Sequence, residues 1–482
     1  MVKKDPMAGY GRFVKTRMKE WNVPGVAIII VKDGQTVLSE GFGLRNVSKG
    51  TPVTTQTLFP IGSCTKAFTT MLMAMLQDNG LFEWDKPVRD YLPGFKMYDP
   101  FATERLTPRD LVTHRSGLPR HDFVWLGSRL SRKDLFDRLR YLEPSKDLRT
   151  TFQYSNLMYA AAGHLIGELT DSSWEEQIHE RIFGPLGMTV SNCSVTISEK
   201  EEGVALGYAE RGKGLKRLPF CNMDNIGSAG AINSSIHDME HWLKFLISGG
   251  RLGRKRLVSK QNVREICTPQ TLTGGRSKES RSLGYSLGWG ISLYRNHEMV
   301  IHDGGIDGFA SITSLLPESK VGMVVLTNRF SRLPSLLAFN AQDRLLGLKP
   351  FPWNRRYRKE AANETKWAAD AKRESNAARV KGTRTSHPLR DYVGDYSHPA
   401  YGTATVGRDR RGLALTFNGE RNRLTHYHYD VFETTVAWLE GLKVTFAVDA
   451  GGSLRSFSAP LQDGVKDIVF ERVLETRAGR VL

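Results

Sequence analysis

Residues 26–31, Val-Ala-Ile-Ile-Ile-Val, form an unbroken apolar run dominated by β-branched side chains. Asp33-Gly34 follows, then Thr36-Val37-Leu38, and two β-rich runs around Asp-Gly predict a hairpin. The spacing then changes. Residues 67–79 carry a helical pattern whose natural stop is Gly80, and a second helix is predicted from about 156 to 169. Strand-like runs return at 287–294, 310–316 and 321–326. Strands at both ends with helices between them predict an α/β unit whose first and last segments share one sheet. Beyond it, β-rich runs alternate with turns at 403–406, 413–417, 426–429, 443–448 and 468–473, the pattern of a small antiparallel barrel or sandwich.

Composition sharpens this outline. At 482 residues the chain has room for two or three domains, each able to bury its own core. Its four cysteines are far apart, which excludes a disulfide scaffold or a zinc module and suits a reducing compartment. No run approaches ~18 apolar residues and no apolar leader precedes Trp21, so the expectation is a cytoplasmic protein without a membrane partner. The net charge of +17 is unevenly placed. Residues 351–388 hold ten Lys/Arg against four Asp/Glu, whereas 389–482 hold twelve of each. The predicted organisation is therefore an α/β unit over 1–350, a charged and partly helical connector over 351–388, and an all-β unit over 389–482.

Three motifs carry candidate chemistry. Ser63-Cys64-Thr65-Lys66 is the one Ser-x-x-Lys of the chain and lies where a loop enters the 67–79 helix. That spacing puts Lys66 one turn above Ser63, and a serine at a helix N-terminus has free N–H groups beside it. A hydroxyl needs an adjacent base to attack a carbonyl, and a desolvated lysine is one. Tyr154-Ser155-Asn156 opens the second helix. A phenol near a lysine is expected to lose its proton more easily and to serve in acid–base work, and the asparagine amide can address a substrate. His302-Asp303-Gly304-Gly305 follows a β-rich run, and its glycines allow close backbone approach and an oxyanion-binding N–H at Gly305.

In order and placement the three motifs together resemble those of the serine β-lactamase and penicillin-binding-protein superfamily, in which Ser-x-x-Lys is the first of a set of three. Tyr-x-Asn and His-x-Gly in second and third position resemble the class C branch with its esterase, D-aminopeptidase and acyltransferase relatives. Residues 106–119, Gly227-Ser228-Ala229-Gly230 and Leu287-Gly288-Trp289-Gly290 are similar to recurrent segments of that group. Residues 392–401 with 426–429 resemble a lipocalin-like barrel appended to some members. The resemblance implies an antiparallel sheet flanked by helices with an all-helical subdomain, followed by a small all-β barrel. It implies a serine hydrolase acting on a small ester or amide, a lactone, β-lactam or D-amino-acid peptide included, through an acyl-enzyme on Ser63, with no cofactor or metal. Lys66 and Tyr154 would share the proton transfers, and Asn156, His302, Gly304 and Gly305 would bind substrate. Histidine in place of the third-motif lysine removes a fixed cation and shifts the expectation away from peptidoglycan cross-linking.

Other readings weigh less. An acyltransferase would use the same residues with a second substrate in place of water. The basic charge, with Arg251–Arg256 and Arg355–Lys359, raises a nucleic-acid-binding protein, but no recognition motif accompanies it. An inactive binding scaffold conflicts with three intact motifs. Gly284-Tyr285-Ser286-Leu287-Gly288 matches a nucleophile elbow, yet strand pattern rather than helix follows it. His426-x-His428 lacks a third metal ligand at useful spacing.

Overall fold

The computed structural model describes residues 5–474, apart from 213, 276, 278 and 436–438. The Asp-Gly hairpin forms as expected: β1 (Gly25–Lys32) pairs antiparallel with β2 (Gln35–Asn46) around Asp33 and Gly34, both at positive φ. With β3 (Thr51–Pro52), β4 (Ser280–Tyr285), β5 (Gly290–Tyr294), β6 (His297–Ile306), β7 (Phe309–Leu316) and β8 (Val321–Thr327) they make one eight-stranded sheet. Its order is β4-β5-β6-β7-β8-β1-β2-β3, so β1 lies beside β8 with Val26 opposite Thr327.

Alternation along β1 explains its unbroken apolar run. Ala27, Ile29 and Val31 join the core containing the Thr65–Asp78 and Ile236–Ile247 helices. Val26, Ile28 and Ile30 join a second core, on the opposite face, with the Tyr10–Glu20 and Leu333–Leu345 helices. A strand covered on both faces has no polar side to present. The Thr65–Asp78 helix is buried from Thr65 through Leu76, between the sheet and a helical layer that includes Pro108–Val112, Arg132–Arg138 and Asn156–Thr170. Gly80, at φ 74°, ends it.

The connector contains a 25-residue helix, Trp353–Ala377, tied at its start by Trp353 Nε1 to Asp343 and by Trp21 Nε1 to Asn354. Eight antiparallel strands then close into a barrel, β9 (Gly394–His398), β10 (Gly402–Asp409), β11 (Gly412–Phe417), β12 (Glu420–His428), β13 (Val431–Thr434), β14 (Lys443–Val448), β15 (Leu454–Ala459) and β16 (Ile468–Arg472). Tyr396 opposite Arg472 makes the closure.

The set-aside motifs take ordinary places. Ser286 is buried with its hydroxyl on the Ile266 carbonyl, and the chain after it enters β5 rather than a helix. A β-bulge separates His426 from His428, and their rings bond the Tyr429 carbonyl and the Val380 N–H. Among the described residues no group of three or more His, Cys, Asp or Glu is placed to hold a metal, and no helix is long and apolar enough to cross a membrane.

Candidate active site

Ser63 sits in a single 3-10 turn, Gly62–Cys64, at the entrance to the Thr65–Asp78 helix. Gly62 has φ 51°, and a Cβ there would lie 3.0 Å from the Gly305 nitrogen, so only glycine lets the serine turn rest against β6. β6 is free to receive it because β5 stops pairing at Ile301, leaving 302–306 bonded on one side, to β7. Ser311 of β7 completes the junction by donating to the Ile61 carbonyl at 2.7 Å. Cys64 turns away from the site, as its helical position predicts, and packs against the His302 carbonyl and Ser311.

Lys66 has no solvent exposure. Its Nζ is 2.8 Å from the Ala229 carbonyl, 2.9 Å from Asn156 Oδ1 and 3.3 Å from Ser63 Oγ, over the ring of Tyr154. Burial, and after it the Arg120 guanidinium, hold this amine well below the ordinary lysine range. A neutral amine has two hydrogens and one lone pair. The three neighbours of Lys66 Nζ are all oxygens, so the protonated amine donates to each of them, and once deprotonated it can keep its two hydrogens on the carbonyl oxygens and turn its lone pair to the Ser63 hydroxyl.

Tyr154 is half-buried, and burial pushes its phenol up, while the hydrogen bond with Ser63 works the other way. Burial outweighs the other influences and the net shift is upward, against the expected easing of its deprotonation. Behind Tyr154 stands His114, fully buried, its ring 4.2 Å from the tyrosine ring between centroids. Its Nδ1 accepts from the Ser155 N–H, fixing the turn that leads into the Asn156–Thr170 helix. His114 itself is presented by a capped turn. Thr107 and Asp110 bond reciprocally, and buried Asp110 also holds Arg115 and Arg149.

The third motif divides its duties. His302 is buried, with Nδ1 donating to the Asp303 carbonyl at 2.6 Å and Nε2 accepting from the Tyr285 hydroxyl at 3.0 Å. Burial brings it down to about 4, so it is neutral, and both ring nitrogens are occupied within the protein. Its side chain thus supports the strand rather than facing the serine, in contrast to the expected substrate-binding placement. Gly304 is packed where a Cβ would meet the Ile61 carbonyl and Ser311, and Gly305 is exposed beneath Phe330. An open cleft of about 850 Å³, lined in part by Asp303, Gly304, Ser311 and Phe330, continues from this edge toward the Trp353–Ala377 helix.

Ser63, Lys66, Tyr154 and Asn156 thus converge, with Gly304 and Gly305 alongside. Sequence reasoning gave no role to Ala229, His114, Arg120 or Asp122. The first two lie inside segments noted above, and their contributions are a backbone carbonyl and a bond to a backbone N–H. Asp122 accepts from Asn156 Nδ2 at 3.2 Å, and Arg120 lies over the Tyr154 ring.

Residues 11–347 match the family model described as Beta-lactamase, and residues 378–472 match a domain of unknown function, DUF3471. An unguisins hydrolase of Aspergillus campestris is 30% identical over 454 residues, covering 87% of this chain and 80% of its own. A second unguisins hydrolase, from Aspergillus violaceofuscus, is 29% identical over 99% of this chain and 92% of its own. Among solved structures, the octameric penicillin-binding protein homologue from Pyrococcus abyssi superposes with a TM-score of 0.64 at 25% identity, covering 96% of this chain and 99% of that one. A class C beta-lactamase from Rhodobacter sphaeroides shares the fold, with a TM-score of 0.57 at 20% identity over 70% of this chain and 99% of that one.

Proposed function

Because the chain belongs to the beta-lactamase family and is a serine hydrolase, we propose that it cleaves an ester or amide bond through a covalent acyl-enzyme on Ser63. The observation that carries this reading is the Lys66 amine, fully buried and 3.3 Å from Ser63 Oγ, with the Ala229 carbonyl and Asn156 Oδ1 as its other partners and its pKa held well below the ordinary lysine range. Ser63 gives its proton to Lys66 as Oγ attacks the carbonyl carbon. The oxyanion so formed is held by the N–H groups of Ser63 and Gly305. On collapse, Tyr154 protonates the departing oxygen or nitrogen and is itself reprotonated from the Lys66 ammonium. Water then repeats the sequence on the acyl group and restores Ser63.

Substrate preference follows from the third motif. A neutral His302 with both nitrogens engaged offers no cation to a substrate carboxylate, which favours uncharged acyl groups. Two relatives are named for hydrolysing unguisins, so an unguisin belongs in the substrate panel. The test is intact mass after exposure to activated esters, a β-lactam and a fluorophosphonate. One adduct per chain is expected, absent in Ser63→Ala. An adduct that persists in Ser63→Ala overturns the assignment.

A further inference from the structure

The barrel touches the catalytic unit at the loop that carries Arg120 and Asp122. His121, between them, is fully buried and left-handed, with φ 45°, a conformation that a non-glycine residue keeps only where its surroundings impose it. Three hydrogen bonds do so. His121 Nε2 donates to the Glu143 carbonyl at 3.0 Å, which leaves Nδ1 bare to accept from the Tyr401 hydroxyl at 2.7 Å. The His121 N–H donates to the side-chain oxygen of Gln462. Two of the three partners belong to the barrel. A third barrel residue, Asn418, donates to the carbonyls of Phe123 and Leu126, at 2.7 and 3.0 Å.

The same loop faces the site on its other side. Asp122 Oδ1 accepts from Trp125 Nε1 at 2.8 Å and from Asn156 Nδ2, while Oδ2 accepts from Arg120. Asn156 can offer Oδ1 to Lys66 only while its amide is turned so that Nδ2 meets Asp122. A continuous chain of bonds therefore runs from Tyr401 in the barrel, across one peptide unit, to Asp122, Asn156, Lys66 and Ser63.

We propose that Tyr401, acting through His121, is a positioning residue for hydrolysis: the barrel sets the loop whose Asp122 orients Asn156 against Lys66. The inference rests on the reading of Ser63 and Lys66 as the reacting pair, and reaches it from outside the catalytic unit. It assigns the barrel a part in the chemistry through the loop it holds. Loss of the Tyr401 hydroxyl removes one of the three bonds that hold His121 left-handed, and the loosened loop lets Asn156 lose its alignment.

The test compares full-length Tyr401→Phe, which keeps the ring and removes the donor, with Arg379→Ala, which removes bonds to the barrel carbonyls of Tyr427 and His426 far from the loop. Cooperative melting of both variants comes first. Backbone hydrogen exchange is then measured over 118–127 and 154–158, and p-nitrophenyl acetate turnover is followed by steady-state kinetics. Tyr401→Phe is expected to speed exchange in both segments and to lower kcat about tenfold with KM nearly unchanged, as a misplaced catalytic group does. Arg379→Ala is expected to leave all three readouts as in the wild type. Unchanged exchange at 154–158 in Tyr401→Phe, or an equal loss of kcat in Arg379→Ala, overturns the proposal. If the wild type does not turn over the ester, the reading of the reacting pair fails, while exchange still decides whether the barrel sets Asn156.

Discussion

Substituting Gly304 by alanine tests whether the position of β6 sets the oxyanion site. The new Cβ would lie 2.1 Å from the Ile61 carbonyl oxygen, and Ser311 leaves no alternative space. A carbon–oxygen contact settles near ~3.3 Å, so β6 must retreat from the Ile61-Gly62 backbone by about 1 Å. Both obstacles are anchored, Ile61 through its N–H to Ile232 and Ser311 through its bond to Ile61, so strain spreads into the sheet. Overpacking of this kind costs about 1–3 kcal/mol. The same retreat withdraws the Gly305 N–H from the serine turn, and loss of the oxyanion donor proposed there would cost about 10²–10³ in kcat. Gly305→Ala is the internal comparison, because the three atoms nearest its Cβ all belong to the ring of Phe330, which is 66% exposed and can swing away. Its stability should stay within about 0.5 kcal/mol of the wild type. Urea denaturation and acylation by a p-nitrophenyl ester give the two readouts. A Gly304→Ala protein acylated within about threefold of the wild-type rate would refute the reasoning, since a ~1 Å displacement cannot be that mild.

Lys66→Met removes an amine whose pKa burial holds well below its value in the unfolded chain. Between its depressed folded value and about 10.5 the folded chain binds up to one proton fewer, so wild-type stability rises with pH there, by up to about 1.4 kcal/mol per unit. The methionine variant lacks that slope, and urea titrations from pH 7 to 10 should show its relative stability falling as pH rises; parallel curves would place a charged lysine in the site. Tyr154→Phe should slow amide hydrolysis by about 10²–10⁴ and a p-nitrophenyl ester far less, because nitrophenolate leaves without a proton. Equal losses on both substrates would exclude the tyrosine as general acid. Asp110→Ala should cost about 1–3 kcal/mol by removing the buried carboxylate that serves the Thr107 N–H, Arg115 and Arg149. Burial raises the Asp110 carboxyl but the two arginines outweigh it, so its folded value is depressed. The support it gives is present above the ordinary carboxylate range and is lost as pH falls through the lower folded value, which an acid denaturation series of both proteins would reveal.

What the sequence made legible was local. Asp33-Gly34 and Gly80 announce a turn and a helix end because backbone conformation at those positions selects the residue type. Ser63 and Lys66 are legible because one helix turn brings them together. The Gly394–His398, Val431–Thr434 and Leu454–Ala459 strands were not foreseen, being short and half-polar, and only barrel closure holds them. The predicted strand at 287–294 begins late, at Gly290, because Leu287-Gly288-Trp289 is an apolar turn with Gly288 at φ 80° against Thr70. Asp122 and Arg120 left no signature, since their meaning comes from Asn156 and Tyr154 more than thirty residues away. Ala229 contributes a carbonyl that any residue could supply, and no residue type marks it.

The placement of β1 between β2 and β8 has a consequence for the order in which the molecule is made. Val26–Val31, the most apolar stretch of the sheet, leaves the ribosome early, while its partner on one edge arrives about three hundred residues later. At ~5–20 residues per second that edge waits roughly 15–60 s, paired on one side by its own hairpin and open on the other. Expression yield should therefore depend on translation speed and on chaperone supply during synthesis more than on the melting temperature of the finished protein. Slowing elongation after residue 50 would lengthen the exposure of a β-branched edge to its neighbours on the same messenger.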